Sequence, residues 1–487
     1  MVEMGAAAIF DALGGVLTRW TMGSAAASAA PSAWREALGE EPGEAELRLL
    51  ALSGQFLGAA VIAEPQGGQA AALRVLPDVP RLALPVVQDA LRPLVRRAMR
   101  QIDNDEGRGE VLHFLAERGW AVHPADWMPS AEECLAPDIY ASWRDWAHGA
   151  ASGDTKGARV TDELTAETWD AFYPAEREVA FRTLRQRNPD AARALLEAKL
   201  SGEDAKVRLR LVEALAHQLS EVDAPFLETL SANDRAPKVK AQAAMLLARL
   251  GRMSAGEDVA ELAGFFEVHT KGLLRRAREL RARPLKTNAQ KSRRDSLLAE
   301  ADFCAFASAL ELEPLELIGA WGWGTEFSLD LALSGMAERS APDEIVVALA
   351  DHIVGHPIPL LRLAPRLAAA KRAQLAMSML KGGDTFQNAL KMGGPAFRID
   401  NPIRLPACMK LMTTLLAAKQ AETTNEKPPP EHRGSWLELR ALGLIASRAG
   451  AQQVLDRLTE TGLLHFGPGH VETIRLNAAL DDKGVKE

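Results

Sequence analysis

A repeat with an offset of 32 residues lies in the middle of this chain and limits what the chain can fold into. DAKVRLRLVEALAHQL, from Asp204, aligns with APKVKAQAAMLLARLG, from Ala236, so that Lys206-Val207-Arg208 falls on Lys238-Val239-Lys240 and Leu215-Ala216 on Leu247-Ala248. Between them lies a second helical segment, PFLETLSAND, with Ser220 placed to cap its start and Asp234 in the loop that follows. One such helix pair cannot bury both of its faces, so units of this length stack on one another as an α-solenoid. A looser third copy is expected upstream, in EREVAFRTLRQRNPDAARALLEAKL, with Val179 in the place of Val207.

Helical periodicity continues outside the repeat. ELRLLALSGQFLGAAVIAE spaces Leu47, Leu50, Phe56, Leu57 and Val61 as one broad apolar helical face. Strand signals are thin: LRVLP near Leu73 is cut off by Pro77, Pro80 and Pro85, and the chain has 2 Tyr. The expected fold is all-α, a HEAT-like solenoid of helical hairpins with an N-terminal helical module. Clusters of Gly, Ser, Thr and Pro mark the breaks. They divide the chain into an acidic module at 1–155, a repeat core at 156–270, a basic helix or linker at 271–298, further helical hairpins at 299–421, a Pro-rich linker at 422–434 and C-terminal helices at 435–487.

The run from RNPDAAR to LLARLG, with the Ser220–Glu228 stretch and DRAPKVKAQAAMLLARL, resembles the core of a bacterial all-helical family classed as a domain of unknown function. ERGWAVHPADW, ending at Trp127, and LLRLAPRLAAAKRAQL at 360–375 extend the likeness over most of the chain. Members of that family are commonly encoded beside a MoxR-type AAA ATPase and a von Willebrand A-domain protein. The resemblance therefore implies an accessory or scaffold role beside such partners, and it carries no catalytic residues. Residues 271–298 are more basic and less regular than the family pattern.

Charge is unevenly spread. Residues 1–150 hold 12 Arg, no Lys and 20 Asp or Glu, so the whole formal charge of −8 resides there. Residues 235–294 carry 15 Lys or Arg against 5 Asp or Glu. Such asymmetry steers partners, although at physiological salt its reach is about 8 Å. The 3 cysteines are too few and too scattered for a disulfide framework. The start lacks a basic n-region, and no long uninterrupted apolar run occurs, so a soluble, cytoplasmic protein with no membrane segment is expected.

Candidate chemistry is sparse. DHIVGH puts His352 and His356 at i and i+4 beside Asp351, with Glu344 two turns earlier, but the glutamate of HExxH is missing and Gly355 and Pro357 point to a helix end. WGWGTE at 321–326 offers tryptophans either as stacking platforms or as a packed helix junction, and the amphipathic segment that follows favours the junction. LKGGDTF and LKMGGPAF lack the spacing of a phosphate loop. Cys134, Cys304 and Cys408 read as small apolar residues, and His217 has no catalytic partner in the sequence. No catalytic residue, metal ligand or cofactor is therefore assigned.

The strongest lead is KGLLRRARELRARPLKTNAQKSRR. As a helix it would align Arg275, Arg278 and Arg281 on one face and Arg276 and Arg283 on another, with Lys286, Arg293 and Arg294 following. It holds no aromatic residue. These side chains are read as a charged interaction surface, satisfied within the chain, by an acidic protein or by nucleic acid. The function expected is a non-enzymatic interaction scaffold or adaptor, for which the resemblance implies an accessory role in an AAA ATPase and von Willebrand A-domain system; the alternative is nucleic-acid binding through 271–294.

Overall fold

The computed structural model describes residues 6–62, 78–100, 102, 104–130, 135–152, 163–172, 174–252, 257–271, 277–424, 432–464 and 471–480. These comprise 24 α-helices and one two-stranded sheet. The chain divides into two compact units, Met1–Asp78 and Val79–Glu487.

In the first unit, the helices Ala6–Thr21 and Pro42–Ile62 enclose Val16, Ala26, Ala30, Leu38, Ala45 and Leu49. Glu46 organises the turn between them: it accepts from the Trp20 indole at 2.8 Å and from the amides of Ala26 and Ala27 at 2.7 Å. The Trp20 hydrogen bond, with those amides, holds the carboxyl below its usual range. The buried stripe of Pro42–Ile62 is not the expected one. Leu47 is 69% exposed, and Leu50 and Leu57 also face outward, while Ala45, Leu49 and Ser53 point in. A helix with no charged residue between Arg48 and Glu64 has apolar residues on every side, so the packing partner rather than the periodicity selects the buried stripe.

The second unit does not begin at residue 156. Residues 87–143 share one core with residues 259–480, in which Trp120, Tyr140 and Trp143 pack in the same cluster as Leu333, Leu442 and Ile474. Ion pairs between Arg97 and Glu472 at 2.9 Å and between Glu110 and Arg440 at 2.8 Å tie these distant parts of the chain together. Residues 425–431 of the expected Pro-rich linker lie outside the described residues, and the helices Pro406–Thr424 and His432–Ile445 reach into its two ends.

The repeats have a core of their own. Pro174–Arg187 and Pro189–Lys199 form the first pair, Ala205–Ala214 and Ala224–Asn233 the second, and Pro237–Arg249 opens a third. The first helices of these units pack successively on one another. Their ends follow from the sequence: Asn188 caps through Ala191 N–H before a first-turn proline, Asp204 caps through the amides of Lys206 and Val207, and Ser220 forms a capping box with Asp223. The upstream stretch is a helix pair, in a different register from the expected alignment. Val179 is 55% exposed, and it is Arg177 that takes the place of Arg208. Arg177 pairs with Glu203 and Arg208 with Asp234, each across 26 residues.

Candidate functional site

Three motifs that stand apart in the sequence meet in one place: the basic stretch, WGWGTE and DHIVGH. The basic stretch is not a helix at its start. Phe266–Lys271 and Ala277–Ala282 pair as antiparallel strands, with Phe266 opposite Ala282 and Val268 opposite Leu280. The alternation has a period of two: Phe266 and Leu280 are buried on one face, whereas Glu267 and Arg281 are exposed on the other. Arg275 and Arg276 lie outside the described residues. The helical face expected to carry Arg278 and Arg281 does not form, because β-branched Val268 and Thr270 and the buried Phe266 and Leu280 fit a pleated ribbon better than a helix.

Most of the cations named in this stretch already have partners nearby in sequence. Arg278 donates to the Glu311 carbonyl at 2.5 Å and lies 3.7 Å from Glu316. Arg281 pairs with Glu279 at 3.1 Å, and Arg283 donates to the Phe266 carbonyl at 3.2 Å. Arg293 holds Asp258 at 2.8 Å and Glu261 at 2.5 Å; Arg294, buried, holds Asp295 at 3.3 Å and Glu326 at 3.2 Å. Lys286 is exposed. The carboxylates all lie within residues 258–326, outside the N-terminal unit.

Leu280 forms a parallel bridge to Trp321, which joins the hairpin to the WGWGTE turn. Trp321 ends the helix Pro314–Ala320 and packs against Phe266 with ring centroids 5.6 Å apart. Its indole donates to Asp330 Oδ1 at 2.9 Å, and the amide of Gly324 donates to Asp330 Oδ2 at 2.9 Å. Gly324 has φ +82°, a conformation that favours glycine and lets the turn wrap this carboxylate. Trp323 donates to the Ile318 carbonyl at 3.1 Å and lies 6.2 Å from the His356 ring. Two hollows flank the turn. One, of about 350 Å³, has Phe266, Leu280, Trp321 and Leu329 along its walls with Glu279, Arg281 and Glu326. The other, of about 310 Å³, is formed by Gly324, Phe327, Asp330, Gly355, His356, Pro357, Ile358 and Pro359.

His352 and His356 do not share a helix. The helix Asp343–His352 stops at the first, and His356 precedes the next helix, Pro357–Leu363. Asp351 is engaged by Lys371 at 2.6 Å. Among the described residues, no group of three or more His, Cys, Asp or Glu is placed to hold a metal ion. The Gly-Gly loop at 382–383 leads into the helix Phe386–Gly393, whose first amides are taken by the carboxylate of Glu438, at 2.5 Å from Phe386 N. Cys304 and Cys408 are buried, and burial pushes each thiol up to about 11; Cys134 lies outside the described residues. Burial and the cations Arg182, Arg249 and Arg185 hold His217 below the usual imidazole range.

Residues 140–462 match the model of a family of unknown function, DUF5691. The chain belongs to that family. No curated protein and no solved structure matches it. The DUF5691 match takes in the repeats, the hairpin, the WGWGTE turn and both hollows. No helix among the described residues is long and apolar enough to cross a membrane.

Asp330 was not among the residues that the sequence nominated. Its signal is a carboxylate on an apolar helical face, since Leu333, Ser334 and Ala337 continue that buried face of Phe327–Ser340. The buried Arg185 and Arg208 carry no comparable signal, because in sequence they are indistinguishable from surface cations.

Proposed function

We propose that the chain is a non-enzymatic interaction scaffold in which residues 174–250 form a HEAT-like solenoid that offers an extended surface to a protein partner. One observation supports this most. Contacts separated by 32 residues recur from unit to unit: Arg210 to Glu178, Arg185 to the His217 carbonyl, Gln218 to the Gln186 carbonyl and Arg235 to the Glu203 carbonyl. A constant separation is what the stacking of similar helix pairs requires. Lys206 and Lys238 are exposed on the first helices of these units, beside Arg182 and Arg210, which share Glu178, and this suits an acidic partner segment.

The family resemblance nominates a MoxR-type AAA ATPase and a von Willebrand A-domain protein as partners. The test is co-purification of the full chain with each of these proteins. The expected result is a complex that weakens when Arg182, Lys206 and Lys238 are replaced by Glu; recovery of neither partner overturns the nomination. Nucleic-acid binding through 271–294 has less support, because a phosphate would have to displace the carboxylates that hold Arg281, Arg293 and Arg294.

A further inference from the structure

We propose that the hollow between the WGWGTE turn and the Gly355-His356-Pro357 turn is a binding site for an organic cation, an alkylguanidinium or alkylammonium group. The argument begins with Asp330, which is 2% exposed and lines that hollow. Burying a carboxylate is costly unless it is paired or fully hydrogen-bonded. Asp330 has two hydrogen bonds, both from neutral donors, the Trp321 indole and the Gly324 amide. It makes no ion pair with any described residue, and the carboxylate has lone-pair capacity for about two further donors. A guanidinium or ammonium group supplies both the missing donors and the missing charge.

The remaining walls suit the rest of such a ligand. Phe327, 59% exposed, and Ile358, 43% exposed, leave apolar surface at the rim, with Pro357 and Pro359 beside them. An alkyl chain would cover that surface, beside the exposed Phe327 side chain. Aromatic residues next to a buried carboxylate select for organic cations over metal ions, because one carboxylate is too few ligands for the latter. The volume, about 310 Å³, is at the small end of ligand pockets and admits one side chain or a small amine. This site lies outside the repeat surface, and it stands whether or not that surface binds a protein.

The test is titration calorimetry of the full chain with N-butylguanidinium, n-butylammonium and neutral N-butylurea, and with N-acetylarginine amide to represent a peptide side chain. Both free cations are expected to bind, and butylurea at least about tenfold more weakly, the loss of one charged contact. Equal or tighter binding of the arginine amide assigns the site to a polypeptide side chain; much weaker binding assigns it to a free small cation. Asp330→Asn is expected to lower affinity at least about tenfold. Because Asp330 also holds the turn, two variants at the rim keep the test independent of folding. Phe327→Ala removes an exposed ring, and Gly355→Leu places a side chain where a Cβ meets nothing within 4 Å. Both are expected to weaken the cation while leaving the thermal unfolding midpoint unchanged. No binding of either cation, butylurea binding as well as butylguanidinium, or full affinity in both rim variants overturns the proposal.

Discussion

Two stretches of the second unit use arginine to tie neighbouring elements together, and they do so at different depths. In the repeats, Arg185 and Asp223 are both fully buried, with Nη2 to Oδ2 at 2.6 Å, and Arg208 meets Asp234 at 2.9 Å with 2% of its side chain exposed. Between 258 and 294 the same chemistry lies on the surface, where Arg293 grips Asp258 and Glu261 with all three side chains about half exposed or more. Depth decides what each pair does. A buried pair contributes little over an apolar substitute, but its loss strands a charge in low dielectric. A surface pair is screened and its partners are easily hydrated.

The comparison predicts a graded response. Asp223→Ala leaves a buried guanidinium without its anion and is expected to cost about 3–5 kcal/mol of unfolding free energy in urea, read by circular dichroism. Arg208→Ala should cost less, about 2–3 kcal/mol, because Asp234 keeps the Ala236 amide at 2.7 Å. Arg293→Ala should leave the urea midpoint unchanged, and about 0.5 M NaCl should then affect variant and parent alike. A cost for Arg293→Ala as large as for Asp223→Ala would break the comparison.

A fourth prediction concerns acid. Burial raises Asp234, but the bonds from Arg208 and the Ala236 amide outweigh it and hold the carboxyl below its usual 3.8. A depressed folded value means that its stabilisation is present above 3.8 and disappears only as pH falls through the lower folded value. Glu438 has the opposite sign: burial raises it above 4.5, so its carboxylate opposes folding at neutral pH and that penalty is relieved as pH falls toward the usual range. Asp234→Asn should flatten the steep acid limb of the unfolding curve, and Glu438→Gln should remove the gentler loss of stability that sets in as pH rises above 4.5.

Much of the helical architecture could be read from residues alone, because caps such as Asn188, Asp204 and Ser220 act over two or three positions and the repeat restates its own pattern. The errors arose where one local pattern fits two structures. ARELRA satisfies both a helical arginine stripe and a two-residue alternation, and only its pairing with FEVHTK decides between them. Leu47 and Leu50 form a valid apolar face, yet Ala45 and Leu49 offer another, and contacts with Val16 and Ala26 select it. The WGWGTE turn was recognised as a junction, whereas Asp330 gains meaning only from its bonds to Trp321 and Gly324. Long-range partners carry that information, and no window of adjacent residues contains them.

Arg185 sets a limit on how the repeats assemble. Besides Asp223, its guanidinium donates to the carbonyls of Pro189, His217 and Gln218, the last held in a left-handed conformation at φ +50°. These acceptors come from the first unit and from the turn at the end of the first helix of the second, so the side chain is satisfied only when both units are in place. Arg185 thus couples the first helix pair to the second, and a change at Asp223 is felt in both.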